Sequence, residues 1–128
     1  MAQFLLIGAF GALGAICRAG LSAWLNPTAA VVGMPWGTIA ANLAGCFVLG
    51  FLAGLTLSSS RIPQPLRAPL MTGFLGSFTT FSTFSVEVVR LIESGEVGTG
   101  IACLLLQVLG GLLLAAAGLA AGRALGGP

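Results

Sequence analysis

Gly73-Phe74-Leu75-Gly76-Ser77-Phe78-Thr79-Thr80-Phe81-Ser82-Thr83-Phe84-Ser85 lies at the middle of a segment that otherwise reads as a membrane crossing. A spanning helix normally keeps its most apolar residues at its centre, where no water satisfies polar groups. This stretch places six hydroxyl side chains, two glycines and four phenyl rings there instead. Polar and breaker residues at membrane depth are tolerated only against protein or around a cavity. The stretch therefore predicts a place where something small and polar crosses.

The rest of the chain agrees with a membrane setting. Of 128 residues, 57% are hydrophobic and only 6% are charged, and the mean hydropathy is +1.08. So few charges cannot cover the outside of a water-soluble domain of this size. A crossing takes about 20 mostly apolar residues. Four such stretches fit, at Phe4–Leu25, Gly37–Leu57, Pro69–Ile92 and Gly98–Gly122. The linkers Asn26–Trp36, Ser58–Ala68 and Glu93–Val97 leave no room for a second domain. The expected fold is thus all-α and integral to a membrane, one four-helix domain over residues 1–128 with its third helix broken at mid-span. The N-terminus lacks the basic start of a secretory signal, so the first span is expected to be retained.

Several chemistries drop out. There is no His and no Asp, and no nucleophile stands beside an evident base, which argues against an enzyme. Cys17, Cys46 and Cys103 all fall inside apolar spans and read as small buried thiols, neither a disulfide framework nor a metal site. Nothing points to a nucleic-acid partner.

Charge distribution bears on topology. Four spans put both termini and the Ser58–Ala68 linker on one side, with Arg61, Arg67 and Arg123. The other side receives Arg90 and, by snorkelling, Arg18. Three against two is a weak bias under the positive-inside rule. The count leaves open both a single orientation and insertion in two orientations, the second of which leads to an antiparallel homodimer. Trp24 and Trp36 read as interfacial anchors. Gly50-x-x-x-Gly54, Gly118-x-x-x-Gly122 and the Gly8, Gly11, Gly14 stripe predict close helix packing, within a subunit or between subunits.

The central stretch also has an inventory of binding groups. Gly76 and the hydroxyl residues around it predict an unwound turn, and the freed carbonyl oxygens would suit a hard alkali cation. Phe81 and Phe84 are three apart and share a helix face. They serve either as core packing or as ring edges turned to an anion, since a phenyl edge is positive and its face negative. Asn42 and Gln107 are mid-span amides of the second and fourth stretches, each with two donors and an acceptor. They serve as helix glue or as ion ligands. Arg18 and Glu87 are the only charges well inside spans, and each reads as a structural anchor or as part of a vestibule.

These residues resemble the small Fluc (CrcB-type) fluoride channels along essentially the whole chain. The resemblance rests on Gly11-x-x-Gly14-Ala15-x-x-Arg18, on Gly37-Thr38-x-x-x-Asn42-x-x-Gly45-x-Phe47, and above all on Gly73-Phe74-x-Gly76-x-x-Thr79-Thr80-Phe81-Ser82-Thr83-Phe84-Ser85-x-Glu87. It implies a passive fluoride channel of the inner membrane that exports fluoride from the cytoplasm, built as an antiparallel, dual-topology homodimer with two pores. It also implies a structural Na⁺ at the dimer centre, held by the carbonyls of Gly76 and Thr79. Phe81 and Phe84 would match the pore rings and Asn42 the pore amide, with Thr38, Ser82 and Thr83 as further polar groups. Arg18 and Glu87 would be vestibule or structural charges. Gln107 falls where the family usually carries a small hydroxyl residue, and Ser77 where a glycine is more familiar.

Two other classes compete. A small multidrug-type transporter needs a carboxylate in the first span, and Phe4–Leu25 contains none. A non-conducting membrane assembly subunit would use the same polar groups only to join helices.

Overall fold

The computed structural model describes residues 1–26 and 33–127. The expected Asn26–Trp36 linker falls mostly on residues 27–32, outside the described residues. Every described element is helical: α1 (Ala2–Leu25), α2 (Trp36–Ser58), α3 (Gln64–Ala68), a π-helical stretch (Pro69–Leu75), α4 (Gly76–Phe78), α5 (Phe81–Glu93) and α6 (Val97–Gly126). Among the described residues α1, α2 and α6 are each long and apolar enough to cross a membrane. The expected third span, Pro69–Ile92, is the interrupted one. Helix also begins earlier than expected there, inside the Ser58–Ala68 linker at Gln64.

The interruption has two parts. Pro69 lacks the N–H of a regular turn, and its ring crowds the carbonyl four residues back; the chain continues from it as π-helix. Helix resumes at Gly76 and then stops. Thr79 (φ −87°, ψ 158°) and Thr80 (φ −152°, ψ 118°) are extended. The unwound turn expected around Gly76 therefore lies three residues further on. Two neighbouring β-branched threonines explain why the helix yields here, because their hydroxyls bond to nearby backbone and compete with the ladder. Thr79 Oγ1 donates to the Leu75 carbonyl at 3.0 Å. Thr80 caps α5, its Oγ1 accepting the Thr83 N–H at 3.2 Å.

Packing around the break is organised by glycine. α2 and α6 form the most extensive helix pair. A Cβ at Gly118 or Gly122 would run into the Phe47 or Phe51 carbonyl, and one at Gly50 or Gly54 into that of Ala115 or Leu119. Both GxxxG patterns thus close a seam inside one subunit, where bare backbones gain the dispersion contacts that lipid would otherwise supply. α1 lies against the π-helical stretch and α4, with Gly14 flush on the Phe74 carbonyl. On the other side of the break, Ile39, Phe84, Val88, Leu91 and Cys103 join α2, α5 and α6 in a buried apolar cluster.

Candidate functional site

Asn42, near the middle of α2, faces the break. Its Oδ1 accepts the Thr80 N–H at 2.7 Å, and its Nδ2 donates to the Thr80 carbonyl at 3.0 Å. One side-chain amide thus takes the place of the Gly76 carbonyl as partner of the Thr80 N–H, and adds a donor to the Thr80 carbonyl, which already opens the α5 ladder as its N-cap. Gly45, nearly a turn further along α2, makes room for the Thr79 methyl group. Nδ2 also donates to Gln107 Oε1 at 2.6 Å, and Gln107 Nε2 donates to Cys103 Sγ at 3.4 Å. A chain of hydrogen bonds therefore runs from α6 through α2 to the break, in a setting where bare polar groups are costly.

The break releases carbonyls. In a continuous helix the N–H groups of Thr80 and Thr83 would bond to the carbonyls of Gly76 and Thr79. Here they go to Asn42 Oδ1 and Thr80 Oγ1. The Ser77 carbonyl is met by Arg18 Nε at 3.3 Å. Arg18 thus reaches back from α1 to the end of α4.

A cavity of about 240 Å³ opens beside these residues. Asn42, Thr79, Thr80, Phe81, Phe84 and Gln107 contribute to its wall, and among the described residues no charged side chain does. The Phe81 and Phe84 rings meet edge to face, with centroids 5.7 Å apart and planes at 65°. They differ sharply in surroundings: Phe84 is 5% exposed and belongs to the apolar cluster, whereas Phe81 is 77% exposed. The sequence left core packing and pore lining open for both rings; both line the cavity, and Phe84 alone is also part of the core.

The remaining expected residues lie near the cavity without lining it. Thr38 is buried one turn before Asn42, and its hydroxyl donates to Glu87 Oε1 at 2.8 Å. The other Glu87 oxygen is buried with no partner among the described residues. Ser82 is exposed at the start of α5, and Thr83 is occupied with Thr80. Two participants were not singled out from sequence. Thr80 is the point at which the ties converge, and the Thr80-x-x-Thr83 spacing after a helix stop is the cap signal that marks it. Cys103, read as an inert buried thiol, accepts from Gln107.

Long apolar helices around a helix broken at a largely apolar cavity that carries two amides define a multi-pass α-helical membrane protein. Residues 5–119 match the model of the family described as CrcB-like protein, Camphor Resistance (CrcB). Among curated relatives, a protein named fluoride-specific ion channel FluC from Bordetella petrii is 42% identical over 123 residues, covering 96% of this chain and 93% of the relative. The one of that name from Chlorobium phaeobacteroides is 45% identical, covering 88% and 86%. Fluoride-specific ion channel FluC 2 from Listeria innocua is 42% identical, covering 87% and 83%. The chain belongs to the Fluc (CrcB-type) family, whose named members are ion channels and not enzymes.

Proposed function

We propose that this protein is a passive, fluoride-selective channel that lets fluoride leave the cytoplasm across the inner membrane. The observation that carries the reading is the uncharged cavity at the helix break, where amides and a phenyl edge pair stand together. Fluoride is small and strongly hydrated, so its lost water must be offset by close, directed donors. A full positive charge would hold the ion too tightly, whereas neutral donors and ring edges bind it and release it. The narrowness of such a path excludes chloride by size.

The working unit is an antiparallel homodimer with four crossings per subunit, the interrupted Pro69–Ile92 segment being the third, and with two pores. Phe81 supports this assembly, since so exposed a ring lacks the wall a pore needs and a second copy would supply it. The near balance of Arg61, Arg67 and Arg123 against Arg18 and Arg90 suits insertion in both orientations.

The released carbonyls of Gly76 and Thr79 fit a structural Na⁺ at the centre of that dimer. Neutral oxygen donors suit a hard alkali cation, and Gly76 is exposed. One chain offers two such carbonyls, so the site would need both subunits. The bound ion would add positive potential near the pores.

The test is fluoride efflux from liposomes holding the purified protein, followed with a fluoride electrode beside a chloride control. Fast fluoride loss without chloride loss is expected. Efflux no faster than from empty liposomes, with folded and inserted protein, would overturn the reading in favour of an assembly subunit.

A further inference from the structure

A count of hydrogens on the cavity wall separates the two amides, given the reading of this cavity as an anion path. Both N–H groups of Asn42 have acceptors, the Thr80 carbonyl and Gln107 Oε1. The hydroxyl of Thr79 donates to the Leu75 carbonyl, and that of Thr80 to Thr83 Oγ1 at 2.9 Å. Among the amide and hydroxyl donors of the wall, each has thus given its hydrogens to protein with one exception, the remaining Cys46 thiol being only a weak donor. Gln107 Nε2 carries two N–H groups, and only one has an acceptor among the described residues, the thiol sulfur of Cys103. Sulfur is a weak acceptor. Gln107 is 7% exposed and forms part of the cavity wall. An N–H without a partner in a dry site is unfavourable unless something that enters accepts from it.

We propose that in this chain the amide N–H offered to the anion belongs to Gln107, and that Asn42 is the strut that holds the break in place. Gln107 is bound at its oxygen by Asn42 and at one hydrogen by Cys103, so its remaining N–H is presented from a fixed amide. Asn42 acts through Thr80: it accepts the N–H that has left the helix and donates to the carbonyl of the same extended residue. The two roles explain why a long amide is accommodated beside a second one. Each completes what the other leaves open.

The test compares fluoride efflux of the wild type, Gln107→Met and Gln107→Glu in liposomes over a range of pH, with empty liposomes at each pH. Size-exclusion elution and helical circular dichroism check the fold. Gln107→Met has similar length and no donor, and its expected flux is lower by about tenfold, the loss of one hydrogen bond to an ion. Gln107→Glu can donate only when protonated, so its flux is expected to fall as the pH rises and the carboxylate ionises. The titratable groups around it are Cys46 on α2, Glu87 on α5 and Cys103 on α6. All three are common to the wild type and both variants, so a pH response peculiar to Gln107→Glu belongs to the new carboxyl. Flux through Gln107→Met equal to or above the wild type would overturn the proposal, because the Asn42 N–H released from Gln107 would then be serving the ion. If Gln107→Met fails to fold, a Gln107→Glu profile parallel to the wild type overturns it equally. A wild type without fluoride flux would instead overturn the channel reading itself.

Discussion

The two halves of α2 meet the rest of the chain by different means. From Phe47 to Ser58 the helix lies against α6 backbone to backbone, through Gly50, Gly54, Gly118 and Gly122. From Trp36 to Gly45 it reaches Thr80, α5 and α6 through side chains: Thr38 to Glu87, Ile39 in the apolar cluster, and Asn42 to Thr80 and Gln107. The C-terminal half joins two regular helices, which need no help to keep their shape. The N-terminal half holds a segment that has given up part of its own ladder. Small residues suffice to place one helix on another, because close approach maximises dispersion where no hydrophobic effect operates between helices. Keeping two residues extended in mid-helix takes polar partners aimed at named atoms.

The largest change is expected from attacking the seam. Gly118→Leu forces the Phe47 carbonyl away, and overpacking of this kind destabilises by about 3 kcal/mol. Thermal unfolding in detergent should show a markedly lower midpoint, and an unchanged midpoint would mean that the seam is slack. Asn42→Leu comes next. It leaves the Thr80 N–H without a partner and removes one donor from the Thr80 carbonyl, at about 2 kcal/mol, while leaving the seam alone. Fluoride flux should then fall more than stability does. A variant that keeps wild-type flux would show that the break holds itself.

Phe81→Ile and Phe84→Ile sharpen the contrast within the site. Phe84→Ile should lower stability by about 1 kcal/mol because the ring is buried, whereas Phe81→Ile should leave the monomer's stability nearly unchanged. Both should cut flux with the dimer intact, as read by the fluoride electrode and by elution volume. Wild-type flux in both would remove the rings from the pathway. The smallest effect belongs to Arg18→Met, which deletes a long bond to the Ser77 carbonyl worth about 0.5 kcal/mol. Its flux should drop only modestly, and a loss as large as that of Asn42→Leu would make Arg18 an equal partner in holding the break.

Residue types alone carried the reading a long way. Apolar runs of spanning length, with charge almost confined to their ends, left only an all-helical membrane protein, since backbone polar groups in lipid must be satisfied within the segment. Six hydroxyls and two glycines in the third run marked where that regularity fails. Asn42, Phe81, Phe84 and Gln107 were recognisable because amides and rings are expensive or conspicuous at mid-span. Local chemistry did not reveal the residue at which the helix yields. Gly76 looked the weaker point, yet it remains helical, and the extended pair is Thr79 and Thr80.

That choice belongs to the tertiary structure. Asn42, 38 residues away in sequence, bonds to both backbone groups of Thr80 and replaces the bond its N–H forgoes, and Gln107 joins Asn42 across 65 residues. A helix opens where replacement partners stand ready, and only the packed helices bring those partners together. The same holds for the glycine patterns, whose spacing announced close contact without naming the partner. The sequence by itself determined the class of protein and the materials of the site. The fold decided which backbone bond gives way and which amide hydrogen is left over, because both depend on groups that meet only when α2, α5 and α6 are in place.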